Sequence, residues 1–65
     1  MEQLKKITNM DKVTLALLLE EGKARISDIQ FHVTLSKRQI RSALTTLVQQ
    51  GMVIYEISTA SYMLV

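Results

Sequence analysis

Three stretches of the chain repeat apolar residues at helical spacing. In "NMDKVTLALLLEEG" (9–22), Val13, Ala16, Leu17 and Glu20 fall on one side of a helix, and Leu15, Leu18 and Leu19 widen the apolar arc. This predicts a helix opened by Asn9 as N-cap and closed by Gly22 in the left-handed conformation. So broad an arc suggests burial on two sides, against the domain and a partner. Before it, "MEQLKKI", with Leu4 and Ile7 three apart, reads equally as an extension of that helix or as a separate turn. "KARI" (23–26) adds a few extended residues, and Ser27 begins a second helix of about two turns, with Ile29 and Val33 as its apolar positions and Phe31 beside them. After the break "TL", Ser36 opens a third helix with Gln39 at capping-box spacing. Ile40, Ala43, Leu44, Leu47 and Val48 then recur at i, i+3, i+4, i+7 and i+8 until Gly51, the strongest helical signal in the chain. From Met52 the residue types change to "MVIYEIS", a polar "TA" and "SYMLV", which read as the two strands of a hairpin.

Two helices joined by so few residues, with the longer one second and a hairpin behind it, predict an α+β winged helix-turn-helix. Its architecture is three helices followed by a two-stranded β-hairpin wing. Sixty-five residues are expected to form one domain over 1–65, and a chain of this size hides only about 60% of its surface on folding. With no cysteine there is neither a disulfide nor a thiolate zinc site to staple it, so close helix packing or a second subunit must serve, and a homodimer is expected. The N-terminal residues are too broken by charge for a signal peptide, and "VTLALLL" is far short of the roughly 20 apolar residues of a membrane span. A soluble, cytoplasmic protein with no membrane contact is the expectation.

Charge sharpens this picture. From Lys23 to Gln50 there are five cations, Lys23, Arg25, Lys37, Arg38 and Arg41, against the single anion Asp28. That stretch carries +4, and the remainder −2, of the net +2. No acid occurs between Phe31 and Met52. If the third helix turns its apolar positions inward, Lys37, Arg38, Arg41, Ser42 and Thr45 lie on its outer side near the N-terminal end, with Thr46 and Gln49 further along. Lys37 and Arg38 in a first helical turn oppose the helix dipole at a cost of roughly 0.3 to 1 kcal/mol each, which a phosphate at the helix start would reverse. Solvated cations on a helix are ordinary, but this placement after a tight turn and before a hairpin favours double-stranded DNA as partner.

Other chemistry finds little support. His32 is the only histidine and has no second ligand at metal spacing, so it reads as a partly exposed filler or a phosphate donor. Glu20 and Glu21 point to different sides of their helix and read as a solvated end. Ser27 and Ser36 look like N-caps, with no base placed by any motif, and the four methionines as start codon and core filler. No glycine loop exists to cradle a phosphate. The expectation is a protein that is no enzyme and needs no cofactor. Single-stranded or RNA binding lacks a platform, because Phe31, Tyr55 and Tyr62 are scattered along the chain.

The run "ARISDIQFHVTLSKRQIRSALTTLVQQGMVIYE" resembles the winged helix-turn-helix superfamily of bacterial and archaeal transcription regulators. In that likeness "ISDIQFHV" is the positioning helix, "TL" the turn, "SKRQIRSALTTLVQQG" the recognition helix over 36–50, and "MVIYEISTASYMLV" the wing. The small size and "LVQQGMV" are most similar to single-domain fimbrial-operon regulators. Iron-transport operon regulators are a less close comparison, because they carry a cysteine cluster missing here. The resemblance implies a sequence-specific regulator that puts Lys37, Arg38, Arg41, Ser42 and Thr45 into the major groove, helped by Ser27, Gln30 and Thr34 at the DNA backbone. It departs from the family in one respect: "EISTASY" offers no Arg or Lys, so the wing should add little affinity. About four neutralised phosphates per subunit would give a log–log salt slope near −3.6. A wing without cations leans towards the rival reading, an assembly adaptor that binds another protein.

Overall fold

Thr8, not Asn9, caps the first helix. The computed structural model describes residues 7–65, so Leu4 and the rest of "MEQLKK" lie outside the described residues. Thr8 Oγ1 accepts a hydrogen bond from the Asp11 amide, and the Asp11 carboxylate accepts one from the Thr8 amide, both at 3.1 Å. Only Thr8 has an acid three residues on, which is why the cap sits one residue earlier than Asn9 predicts. Helix α1 then spans Asn9–Leu19. It ends when the Gly22 amide donates to the Leu17 carbonyl and the Glu21 amide to the Leu18 carbonyl, the paired bonds of a Schellman motif. The left-handed residue of that motif is Glu21, at φ 62°, and Gly22 follows it at φ 91°. The helix therefore stops one residue before the glycine that was expected to stop it.

The extended piece is short and structural. Strand β1, Lys23–Ala24, pairs antiparallel with the last strand of the chain, so the sheet has three strands where the sequence predicts a hairpin of two. Helix α2, Ile26–Gln30, begins ahead of Ser27. The Asp28 carboxylate accepts from the Arg25 amide at 3.1 Å, which places Arg25 at the cap and Ser27 inside the first turn. Helix α3, Lys37–Gln49, opens as its sequence predicts, with Ser36 and Gln39 exchanging side-chain and backbone hydrogen bonds. It closes in a second Schellman motif, Met52 to Leu47 and Gly51 to Val48, and here Gly51 does hold the left-handed position, at φ 75°.

The hairpin has shorter strands and a longer loop than the sequence predicts. Strands β2, Val53–Glu56, and β3, Ser61–Leu64, pair in the register Glu56 with Ser61 and Tyr55 with Tyr62. The loop is Ile57–Ala60, not the dipeptide "TA". The Ala60 amide donates to the Ile57 carbonyl, and Ala60 takes φ 54°. The hydroxyls of Ser58 and Thr59 both donate to the Glu56 carboxylate, which bends the chain before "EIS" can extend as strand. The sheet order is β1-β3-β2, with Ala24, Val53, Tyr62 and Leu64 turned to the helices.

Val13, Ala16 and Leu17 of α1 meet Ile40, Ala43, Leu44 and Leu47 of α3, and Ile29 of α2 closes the core. Five expected apolar positions lie elsewhere. Phe31 is 86% exposed, Val48 sits at the core's edge, and Leu15, Leu18 and Leu19 stand in the open. The broad arc of α1 is thus buried on one side only. Three helices and a three-stranded antiparallel sheet make an α+β winged helix-turn-helix, and among the described residues no helix is long and apolar enough to cross a membrane.

Candidate nucleic-acid interface

Helix α3 is strongly two-sided. With Ile40, Ala43, Leu44 and Leu47 against the core, Arg38, Ser42, Thr45 and Gln49 occupy the opposite side and are exposed. At about 100° per residue, Arg38 and Arg41 diverge by about 60° around the axis, and the fold uses that difference. Arg38 and Ser42 line a groove between α3 and the start of α1, against Thr8, Asn9 and Met10. Arg41 lines a separate cleft between α3, α2 and the wing, which it shares with Arg25, Ser27, Tyr55 and Tyr62. The predicted contact residues thus split into two sets flanking a ridge that carries Thr45. Lys37 stands exposed at the helix start.

The electrostatics follow the same division. Helices α1 and α2 each carry an acid in the first turn, Asp11 and Asp28, whereas α3 carries none there and begins Lys37-Arg38. Among the described residues no carboxylate lies within ion-pair distance of Arg25, Lys37, Arg38 or Arg41. Lys23, counted with them in the sequence, is spent elsewhere: its Nζ lies 2.7 Å from Glu56 Oε1. Glu56 is the only charged side chain between Met52 and Val65. Its pairing leaves the wing neutral overall and the uncompensated cations on the helices.

Hydrogen bonding narrows the chemistry of individual side chains. The Thr45 hydroxyl donates to the Arg41 carbonyl at 2.9 Å and the Thr46 hydroxyl to the Ser42 carbonyl at 3.2 Å. Their protons are committed within the helix, and each presents outward only acceptor capacity and a methyl group. Of the residues implied for backbone contacts, Ser27 opens into the cleft beside Arg41, while Gln30, half-buried at the end of α2, and Thr34, exposed in the connection to α3, line neither depression. His32 is held by Glu20 at 2.7 Å. That contact ties the turn after α2 to the end of α1, and both side chains stay partly exposed, as expected of a filler histidine and a solvated helix end, with the imidazole engaged by Glu20 rather than free.

Sequence reasoning missed Arg25, Tyr55 and Tyr62. The signal for the tyrosines was the hairpin register: a four-residue loop sets Tyr55 opposite Tyr62, with ring centroids 4.8 Å apart and planes inclined at 50°. A two-residue turn would have set Tyr55 opposite Leu64. Among the described residues no three His, Asp or Glu side chains gather as metal ligands.

One family model matches residues 11–56, and its description is the helix-turn-helix domain of RNA polymerase III subunit RPC82. The match runs from the first turn of α1 to the end of β2 and takes in the α3 walls of both depressions, while Thr8, Asn9 and Met10 of one and Ala60 and Tyr62 of the other lie outside it. No curated protein and no solved structure matches the chain.

Proposed function

The chain belongs to the family of the RNA polymerase III subunit RPC82 helix-turn-helix domain, and from that membership and the charge of α3 we propose that it binds double-stranded DNA as a module of a transcription assembly. The observation that carries this reading is the set of four exposed cations from Arg25 to Arg41, Arg25, Lys37, Arg38 and Arg41, with no ion-pair partner among the described residues. Lys37 and Arg38 are unfavourable against the dipole of their own helix, and an anion brought to that end removes the conflict. In this reading α3 follows the major groove, Arg38 and Ser42 meet it from one flank and Arg41 from the other, and the neutral wing adds little. The module acts by binding alone, without a cofactor or a catalytic step, as one winged-helix unit inside the cell, where genomic DNA is.

Four neutralised phosphates correspond to a log–log salt slope of about −3.6. Each of Arg38→Ala and Arg41→Ala should weaken binding to mixed-sequence duplex and reduce the slope by about 0.9. Weak binding that neither substitution changes would sink the proposal. The finer reading, a stand-alone sequence-specific regulator of the fimbrial-operon type, draws support from the open outer side of α3 and differs in one measurable quantity. It requires a selected operator to bind at least about a thousandfold tighter than random duplex.

A second reading is favoured by a separate observation. Leu15, Leu18 and Leu19 are 55%, 58% and 67% exposed along one side of α1, the side turned away from the core. For a domain of a polymerase subunit family, that surface suits another subunit of the assembly. The homodimer expected from the sequence would use the same leucines or the edge of the hairpin. Sedimentation of the purified chain separates these: self-association that Leu18→Glu abolishes places a second copy there, and a monomer leaves the face to a different protein.

A further inference from the structure

The cleft between α2, α3 and the wing sets two of the duplex-binding cations beside aromatic rings that duplex binding leaves unused. Its walls bring Arg25 and Arg41 from the helices, Tyr55 and Tyr62 from the hairpin and the Ser27 hydroxyl to one depression of about 470 Å³, within the range of small-ligand sites. Both arginines are exposed and, among the described residues, without a carboxylate partner. The two rings form a tilted pair. Tyr62 is half-buried against the core and buttresses Tyr55, which is 46% exposed. From these we infer that the cleft is a nucleotide-binding site, in which the guanidinium groups of Arg25 and Arg41 take a phosphate and the ring of Tyr55 takes the face of an unstacked base.

Charge and stacking both point this way. A phosphate alone needs no aromatic wall, and an apolar ligand needs no arginine; a nucleotide presents an anion and a planar ring side by side. Inside a duplex the base faces are covered by their neighbours, so an exposed phenol there meets only edges and sugar. An unpaired nucleotide offers its whole face, and stacking on an aromatic side chain is independent of base identity. The outer face of the wing cannot compete for the anion, because Lys23 is already held by Glu56. The same chemistry has two sources, a free nucleotide or one residue of an unpaired strand.

The chain supplies its own reporter. It has two tyrosines and no tryptophan, and both tyrosines line this cleft, so ultraviolet emission of the whole chain reads the site directly. Titration with thymidine and uridine monophosphates, with a twelve-residue oligothymidylate and with the matching oligouridylate should quench that emission in at least one case. A monophosphate that suffices assigns the free ligand, and an oligomer that is required assigns the strand. Tyr55→Leu should weaken the quenching ligand about tenfold and Tyr55→Phe should restore it, with binding followed by anisotropy of a labelled ligand. Arg25→Ala should weaken it and flatten its salt dependence, while Arg38→Ala leaves it unchanged. No quenching by any of the four, or quenching that survives Tyr55→Leu in a chain whose circular dichroism is intact, overturns the inference. The site rests on nucleic-acid chemistry but not on duplex binding. Duplex affinity that depends on Arg38 without any quenching would remove this site alone, and quenching without duplex affinity would remove only the proposed duplex binding.

Discussion

Lys23 Nζ reaches over the central strand to Glu56 Oε1 at 2.7 Å, joining the two edge strands β1 and β2 across β3. The contact fixes the wing to the segment between α1 and α2, and it neutralises the wing's one charge. Hydrogen bonding from Lys23, then from Ser58, holds the Glu56 carboxyl below the ordinary glutamate range, with the Lys23 charge and Thr59 adding to the effect against slight desolvation.

A depressed carboxyl favours the folded state while it is ionised. Its contribution is complete above the pKa of the unfolded chain and disappears as pH falls through the lowered folded value. Glu56→Gln should therefore lower Tm near neutrality, and the difference from the native chain should shrink to nothing in acid and diminish with added salt. Thermal melts over a pH series check this; a difference that grows on acidification contradicts it.

The two Schellman motifs make a matched pair. Glu21 holds the left-handed position after α1 at φ 62°, where Gly51 holds it after α3 at φ 75°. A side chain in that conformation costs roughly 1 kcal/mol. Glu21→Gly should stabilise the chain by about that much, and Gly51→Ala should destabilise it by a similar amount, since a Cβ at position 51 meets nothing within 4 Å. Denaturant midpoints of the two variants should move in opposite directions.

Leu44 of α3 is fully buried in the hydrophobic core. Leu44→Ala should cost about 2 to 5 kcal/mol, a large share of the stability a domain this small commands. Circular dichroism should show most of the helix signal lost at physiological temperature.

The Thr45 hydroxyl proton is already given to the Arg41 carbonyl. Thr45→Val, which keeps the shape and removes the hydroxyl, should leave duplex affinity almost unaltered, whereas Arg38→Ala lowers it. A loss at Thr45 equal to that at Arg38 in the same anisotropy assay would place the hydroxyl in direct contact with a base.

Leu18 projects from α1 into solvent. Leu18→Glu should leave Tm nearly unchanged, because no core contact is removed. It should also convert any self-associated form to monomer in sedimentation velocity, and unchanged association would place the interface elsewhere.

Periodicity within single segments carried much of this protein in its sequence. The i, i+3, i+4 repeat from Ile40 to Leu47 defines the buried side of α3, Ser36 and Gln39 define its start, and the acid-free run around Lys37, Arg38 and Arg41 defines its charge, because each depends only on residues within a turn or two of one another. What needed the tertiary structure were relationships between segments. Pairing of Lys23–Ala24 with β3 turned a hairpin into a three-stranded sheet, and the Ile57–Ala60 loop set the register that brought Tyr55 against Tyr62. The angle between Arg38 and Arg41 became two separate depressions only when α1 packed on one side of α3 and the wing on the other. Local patterning specifies which face a residue occupies; what it faces is decided by packing between elements distant in the chain.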